Sequence, residues 1–224
     1  MRKLLITIDG PAGAGKTTVS RMLSEQLGYI YVDTGALYRG VAFEVIKKGV
    51  KSDDAEGLRT LCETLDLKFV LEQKSLSLIS NGKNISDLIR TPEITMMASA
   101  VSAKQVVRDF LFDLQRQLGK DKCVVFEGRD MGTVVFPDAD VKFYLDAAAE
   151  DRAKRRYNEM KDKSTQTLHE IEKDILKRDK DDSTRNIAPL KPAKDAILID
   201  STPLSASEVV DNMMIYVKQI GESY

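Results

Sequence analysis

One stretch near the N-terminus constrains the fold of this chain more than any other. The segment 4–8 is apolar at almost every position, as expected for a strand that is covered on both faces within a parallel sheet. The run GPAGAGKT at 10–17 follows it and fits the pattern GxxxxGK[ST]. Apolar residues at helical spacing then begin at Val19. This order of strand, glycine-rich loop and helix lets backbone N–H groups surround phosphate oxygens, so it predicts a nucleoside triphosphate site.

Two side chains of this loop carry the chemistry that such a site needs. Lys16 can reach the β- and γ-phosphates, and the Thr17 hydroxyl can ligate Mg²⁺. ATP and Mg²⁺ are therefore the cofactors that we expect. The residues expected to bind them are Gly10, Pro11, Ala12, Gly13, Ala14, Gly15, Lys16, Thr17 and Thr18.

The rest of the chain alternates short β-rich runs with segments of helical periodicity. Further strands are predicted at 29–32, 123–126, 141–145 and 196–199, with amphipathic helices between them and near the C-terminus. Strands separated by helices are typical of parallel sheets. The predicted fold class is therefore α/β, with a P-loop NTPase-type parallel sheet flanked by helices.

Two segments interrupt this alternation. Residues 65–86 contain two β-rich runs and the hairpin signal Asn81-Gly82, which predicts a small antiparallel β insert. A decorative hairpin and a functional insert fit that stretch equally well. Residues 150–185 are dense in charges of both signs, which is typical of a solvated helix face and also of an arginine-bearing lid. Spacing alone favours the solvated face.

Charge and motif content exclude several classes of protein. The 224 residues carry 34 Lys and Arg against 35 Asp and Glu, which argues against a protein that coats nucleic acid. The two cysteines stand far apart, so they predict neither a disulfide framework nor a zinc site. The apolar runs are too short for a secretory leader or a membrane span, so we expect a cytoplasmic protein. A GTPase would need a guanine-reading NKxD motif, which this sequence lacks. Phosphate transfer to a small acceptor is the activity that remains.

Two runs are candidates for the acceptor side, because each follows a predicted strand. One is 33–39 and the other is 127–133, and each offers an arginine, a carboxylate, a glycine and a hydroxyl. Taken singly, Arg129 and Asp130 could form a surface ion pair, and Asp33 with Thr34 could cap a helix. Their shared position at the ends of strands favours an acceptor site.

Several runs closely resemble bacterial cytidylate kinases, a family of nucleoside monophosphate kinases. They are 10–17, 33–39, 128–139, 178–185 and 188–190, and the resemblance extends over essentially the whole chain. It implies ATP-dependent, in-line phosphorylation of CMP and dCMP to CDP and dCDP with Mg²⁺. It also implies a single kinase unit, 1–224, with a core at 1–62 and 98–224, a nucleoside-monophosphate-binding insert at about 63–97 and a helical lid at about 150–186.

The resemblance also implies roles for individual residues. Thr34, Arg108 and Asp130 look like the groups that read cytosine, and Arg39 with Arg129 looks like the pair that holds the acceptor phosphate. Ser99, Arg178 and Asp182 look like sugar contacts. The residues implied in catalysis are Lys16, Arg129 and Arg185, and the substrate-binding set is Thr34, Tyr38, Arg39, Ser99, Arg108, Arg129, Asp130, Arg178 and Asp182.

The hydrogen-bonding groups of Asp130 and Arg108 are complementary to those of cytosine. A carboxylate such as Asp130 can accept from the N4 amine, and Arg108 can donate to the ring acceptors.

Two alternatives stay open: a kinase of the same superfamily acting on UMP, AMP or shikimate, and a nucleotide-sensing protein without turnover. The other small-molecule kinases are disfavoured by Asp130 with Arg108 and by the 65–86 insert. A nucleotide sensor without turnover is disfavoured by the number of cations directed at phosphate. The expected partners are small nucleotides rather than nucleic acid or membrane, and a monomer is the default.

Overall fold

A computed structural model describes residues 2–72, 75–160 and 166–222 of the chain. Residues 73–74 of the predicted insert and residues 161–165 of the predicted lid lie outside this range. The chain divides into two compact units, Met1–Tyr29 with Lys122–Tyr224 and Ile30–Asp121. Each unit has its own hydrophobic core.

Strands and helices alternate along most of the chain. In order they are β1 (Leu5–Asp9), α1 (Lys16–Leu27), β2 (Ile30–Asp33), α2 (Thr34–Lys47), α3 (Ala55–Thr64), β3 (Leu67–Glu72), β4 (Ser75–Ser80), β5 (Lys83–Asn84), α4 (Pro92–Ser102), α5 (Gln105–Leu118), β6 (Val124–Gly128), a π-helical turn (Met131–Val135), β7 (Val141–Asp146), α6 (Ala149–Met160), α7 (Leu168–Thr184), β8 (Ile197–Asp200) and α8 (Ala206–Glu222).

In the first unit the strands β6, β1, β7 and β8 lie side by side in this order, all parallel. All five residues of β1 are buried, as the apolar run predicts for a central strand. Asp9 at the end of β1 pairs with Gly128 on one side and with Tyr144 on the other. The carboxyl ends of three strands therefore meet at one edge of the sheet, where α/β folds place their sites.

The two faces of this sheet have different partners. One face packs against α1 and α8, and its core includes Ile6, Ile8, Val125, Phe143, Val19, Leu23, Val210 and Met213. Side chains alternate across a strand, so Thr7 and Asp9 lie on the opposite face. There Phe126 stacks on Phe136, with ring centroids 4.5 Å apart. The loop and π-helical turn after β6 thus pack on the same face as Asp9.

The second unit joins helices α2 to α5 to a small antiparallel sheet in the order β3-β4-β5. Its core includes Leu37, Val41, Leu61, Leu78, Val101 and Leu111. Asn81 and Gly82 have φ of 47° and 79° and form the two-residue turn between β4 and β5, as their sequence predicts. The prediction of a parallel sheet flanked by helices, with a small antiparallel sheet, is confirmed.

Helices α6 and α7 lie within the predicted lid. Thr167 and Glu170 form a reciprocal capping box at the start of α7, and the two helices pack through Ala153, Ile171 and Ile175. Within residues 2–72, 75–160 and 166–222, no helix is both long and apolar enough to cross a bilayer.

Candidate active site

Gly10, Gly13 and Gly15 of the glycine-rich loop all have positive φ, and at the first two a side chain would also crowd a neighbouring residue. Gly10 has φ of 149°, and a Cβ there would lie 2.0 Å from the Leu145 carbonyl oxygen. Gly13 has φ of 76°, and a Cβ there would lie 3.1 Å from Cβ of Arg152. α1 then begins at Lys16, with Gly15 as its N-cap. The first N–H groups of this helix have no intrahelical acceptor, so the loop end of α1 is suited to an anion.

Lys16 is a buried cation within this loop. Its Nζ donates to the Pro11 carbonyl oxygen at 2.6 Å. Burial, together with the positive charges of Arg129 and Arg178, lowers the pKa of Lys16 to about 7, although Glu127 and Asp9 act in the opposite direction. A phosphate group brought into the loop would supply the negative charge that this ammonium needs.

Thr17 and Glu127 place two oxygen donors together at the mouth of the loop. The Thr17 hydroxyl donates to a Glu127 carboxylate oxygen at 2.9 Å. Mg²⁺ prefers such hard oxygen ligands and often takes only one or two from the protein, the rest coming from phosphates and water. These residues therefore fit a magnesium ion that arrives with a nucleotide. In the described part of the chain, no cluster of three or more His, Cys, Asp or Glu offers a metal site built from the protein alone.

Side chains from α6, α7 and the end of β8 form hydrogen bonds with the main chain of the glycine-rich loop. The Arg152 guanidinium donates to the Ala12 carbonyl at 2.9 Å and also pairs with Asp179. The Asp179 carboxylate accepts from the Ala12 N–H at 3.1 Å, and the Ser201 hydroxyl donates to the Ala14 carbonyl at 3.1 Å. For Arg152, whose side chain is only 7% exposed, the solvated-face interpretation is wrong. The contacts of Arg152, Asp179 and Ser201 with the loop were not predicted from the sequence, because Ala12 and Ala14 are distant from them along the chain.

The loop after β6 and the C-terminal part of α7 bring together five residues of the predicted site. Arg129 Nε donates to an Asp182 carboxylate oxygen at 3.1 Å, and Arg178 Nε lies 3.9 Å from the same oxygen. Arg185 Nη2 donates to Asp130 Oδ1 at 3.3 Å. The side chains of Asp130, Asp182 and Arg185 are buried, at 3%, 7% and 7% exposure. Arg129 and Asp130 thus each pair with a residue from a later segment, and the alternative of a mutual surface ion pair is wrong.

A further buried carboxylate reaches this loop from β1. Asp9 accepts the backbone N–H groups of Met131 at 3.0 Å and Gly132 at 2.7 Å. Burial raises the pKa of Asp9 to about 6, although these two hydrogen bonds act in the opposite direction. No role was predicted from the sequence for Glu127, although it begins the candidate run 127–133, and Asp9 was not selected. Asp9 also lies at the carboxyl end of a strand, so the rule that selected that run applies to it too.

In the second unit, Asp33 has two roles at the start of α2. It caps the helix by accepting from the Ala36 N–H at 3.2 Å, and it pairs with Arg39 Nη2 at 2.6 Å. The alternative that Asp33 caps a helix, which was not the favoured interpretation of the sequence, is therefore what the structure shows, and the ion pair of Asp33 also orients Arg39. Thr34 is buried as the first residue of α2.

Three other residues of the predicted substrate set lie in the same unit: Arg108 and Ser99 contact Ser102, and Tyr38 lies near Arg108. Arg108 Nη1 donates to the Ser102 carbonyl at 3.3 Å, and its guanidinium lies 5.8 Å from the centroid of the Tyr38 ring. The Ser99 carbonyl accepts from the Ser102 hydroxyl at 2.8 Å. Arg108 is buried, so its guanidinium is held in place by a carbonyl and an aromatic face.

Comparison with known proteins identifies the family of this chain. The family model described as cytidylate kinase matches residues 6–219. The cytidylate kinase of Geobacter sulfurreducens is 47% identical over 219 residues, covering 97% of this chain and 94% of that protein. The cytidylate kinase of Ligilactobacillus salivarius is 44% identical, with 98% of each chain covered.

A solved structure shares the fold at much lower identity. The shikimate kinase of Acinetobacter baumannii, solved with shikimate, has a TM-score of 0.50 and 16% identity over 97% of this chain and 94% of that one. At that identity the likeness supports the fold alone. The family match over nearly the whole length is decisive, and the chain belongs to the cytidylate kinase family.

Proposed function

We propose that this enzyme transfers the γ-phosphoryl group of ATP to CMP or dCMP, giving ADP and CDP or dCDP. One observation carries the proposal beyond family membership. β1 and β6 end in register, with Asp9 beside Gly128, so the phosphate loop and the Arg129–Asp130 segment begin side by side at one sheet edge. A donor loop and an acceptor loop need this adjacency for an in-line transfer.

On the donor side, the loop 10–18 binds the triphosphate through its backbone N–H groups and the start of α1. Lys16 leaves the Pro11 carbonyl and pairs with the β- and γ-phosphates. Thr17 would hold Mg²⁺, with Glu127 beside it to orient the hydroxyl or a bound water. When bound, the ion would neutralise charge that develops on the transferred group.

On the acceptor side, Arg39 and Arg129 bind the phosphate of CMP, and Ser99, Arg178 and Asp182 contact the sugar. The salt bridges of Arg39 with Asp33 and of Arg129 with Asp182 support this assignment, because they hold each guanidinium in one orientation before the nucleotide arrives. Less side-chain entropy is then lost on binding.

Base selection rests on Thr34, Tyr38, Arg108 and Asp130. Asp130 accepts from the N4 amine of cytosine, and Arg108 donates to the ring acceptors. Uracil would face the Asp130 carboxylate with an oxygen instead of an amine. That unpaired, buried contact costs several kcal/mol, which is enough to discriminate against UMP.

The chemical step needs positioning and positive charge more than proton transfer. The acceptor is a phosphate oxygen that is already ionised near neutral pH, so no general base is required. Lys16, Arg129 and Arg185 supply the cations that stabilise the transferred group. We propose that the lid, at about 150–186, and the insert, at about 63–97, close over the nucleotides and exclude water from the core formed by 1–62 and 98–224. We further propose a cytoplasmic monomer that acts on free nucleotides.

A coupled assay of ADP release tests the function directly. It compares CMP, dCMP, UMP, AMP and shikimate as acceptors at equal concentrations, with an acceptor-free reaction as the control for ATP hydrolysis. We expect rapid turnover with CMP and dCMP, much slower turnover with UMP, and background rates with AMP and shikimate. Faster turnover with UMP, AMP or shikimate than with CMP would contradict the proposal, as would background rates with every acceptor.

A further inference from the structure

Asp9 lies outside the groups proposed to contact either nucleotide, yet it is among the most buried charged residues of the first unit. It is the last residue of β1, directly before the glycine-rich loop, and is 4% exposed. Both of its carboxylate oxygens accept backbone N–H groups: Oδ1 from Met131 at 3.0 Å and Oδ2 from Gly132 at 2.7 Å. Asp9 therefore joins the start of the phosphate loop to the start of the π-helical turn.

Those two N–H groups belong to a class that usually needs a cap. The first N–H groups of any helical turn have no acceptor within the turn, and the residue that precedes the turn commonly supplies one through its side chain. The preceding residue here is Asp130, but its Oδ1 accepts from Arg185 instead. Asp9, at a sequence separation of 122 from Met131, takes the place of the cap.

Close packing fixes this arrangement further. A Cβ at Gly132 would lie 3.1 Å from the Thr7 hydroxyl oxygen, 3.3 Å from Cδ of Lys142 and 3.4 Å from Asp9 Oδ2. The turn can sit against β1 at hydrogen-bonding distance because residue 132 has no side chain. Main-chain contacts of this kind set the position of the residues that immediately precede the turn.

We propose that Asp9 is a positioning residue for base selection: by capping the π-helical turn from β1, it keeps the Asp130 carboxylate out of the capping role and holds it, with Arg129, in the orientation that the acceptor nucleotide needs. The inference rests on the proposed function, in which Asp130 and Arg129 contact CMP. It adds a physical link between the donor loop, which starts at Gly10, and the acceptor loop.

The charge state of Asp9 makes this link sensitive to pH. Asp9 faces Lys16 from α1, Asp130 from the loop after β6 and Tyr144 from β7. Burial is the main cause that raises the pKa of Asp9 to about 6, and the negative charge of Asp130 contributes in the same direction. Above that pH the carboxylate accepts both N–H groups. As pH falls through 6, a proton occupies one oxygen and weakens the cap.

Steady-state kinetics of Asp9→Asn give the first test. The amide keeps one acceptor oxygen and replaces the other with a donor, so it can cap only one N–H group. We expect kcat/KM for CMP to fall on the order of 10- to 100-fold and the CMP-over-UMP preference to decrease, while KM for ATP changes about twofold or less. Wild-type values of kcat and KM for CMP in a folded Asp9→Asn enzyme would overturn the proposal.

Asp140→Asn is the matched control. Asp140 is also a buried carboxylate that caps a backbone N–H, that of Leu5 at 2.8 Å, and its side chain is 7% exposed. It lies at the other end of β1, away from the loop. We expect this variant to have a lower melting temperature than wild type, but no change in KM for CMP that is absent from KM for ATP. If both variants change the kinetics alike, Asp9 has only a structural role.

A measurement on the wild-type protein keeps the two proposals separable. We expect the amide proton signals of Met131 and Gly132 in NMR spectra without nucleotide to shift with pH, with a midpoint near 6, and to lose that shift in Asp9→Asn. Amide protons of Met131 and Gly132 that exchange with solvent at pH 7.5 as fast as amides without a hydrogen bond would overturn the capping role, even where Asp9→Asn does not fold. An enzyme that does not phosphorylate CMP but shows the amide titration would contradict the proposed function and leave the cap intact.

Discussion

The Lys16 ammonium donates to the Pro11 carbonyl oxygen at 2.6 Å, so the lysine of the phosphate loop is folded back onto its own loop. It is buried there with Arg129 and Arg178 nearby, which is why its pKa falls to about 7. The fold therefore holds a cation at a place where burial and like charge disfavour it. A polyphosphate relieves that unfavourable electrostatic energy when it binds.

Lys16→Met should abolish activity and stabilise the empty protein. The variant removes a buried, repelled charge and leaves the Pro11 carbonyl without its donor, so we expect a net gain of about 1–3 kcal/mol in unfolding free energy at pH 7. The ammonium has its ordinary pKa of 10.5 when unfolded and about 7 when folded, so between these values the unfolded state binds more protons. Wild-type stability then rises with pH across this window.

Urea unfolding at pH 7 and pH 9 checks this prediction. The advantage of Lys16→Met over wild type should be larger at pH 7 and should shrink at pH 9. Lys154→Met, at a half-exposed position of α6, is the control and should change stability little at either pH. A less stable Lys16→Met protein at pH 7 would mean that the lysine is not held at an energetic cost.

The Arg152–Asp179 pair should act as one unit in holding the donor loop. Both residues contact the main chain of Ala12, one at its carbonyl and one at its N–H. We expect Arg152→Ala and Asp179→Ala each to raise KM for ATP about tenfold, with a smaller effect on KM for CMP. In a double-mutant cycle on unfolding free energy, the coupling should be about 1–3 kcal/mol.

Arg156→Ala serves as the control for that cycle, because Arg156 lies on the same helix with its side chain 47% exposed. Its KM for ATP should stay within about twofold of wild type. Additive effects of the Arg152 and Asp179 changes would show that the two side chains act on the loop separately.

Arg185→Ala should lower kcat by about an order of magnitude or more. The guanidinium lies against Asp130 and is fixed by a hydrogen bond from its Nε to the Ala188 carbonyl at 2.7 Å. Loss of this preorganised cation removes positive charge near the transferred group. Rapid-quench measurement of a single turnover separates the chemical step from product release. A single-turnover rate equal to that of wild type would exclude Arg185 from the transition state, and Arg185→Lys should restore part of the rate.

Local patterns predicted those parts of the fold that depend on neighbouring residues. The phosphate loop was predictable because its glycines, Lys16 and Thr17 are contiguous and follow a buried strand. The turn at Asn81-Gly82 was predictable because both residues tolerate positive φ. Strand ends were off by one or two residues, since the parallel register extends β1 to Asp9 and β6 to Gly128.

Contacts between distant segments could not be read from the sequence. Charge spacing in the run 150–185 gave no sign that Arg152 is buried while Arg156 is exposed, because that difference depends on where α6 meets Ala12. The cap that Asp9 provides to Met131 spans a separation of 122 residues. In the sequence, Asp9 is an acidic residue beside a glycine, and nothing near it indicates that it contacts Met131.

We expect the buried Asp130 carboxylate to select cytosine, and the ratio of kcat/KM for CMP to that for UMP measures this selection. The ratio should be high for wild type and for the control Asp138→Asn, which changes an exposed carboxylate eight residues later. In Asp130→Asn the amide can donate to the uracil oxygen, so the ratio should fall about tenfold or more. An unchanged ratio in a folded Asp130→Asn enzyme would show that Asp130 does not select the base.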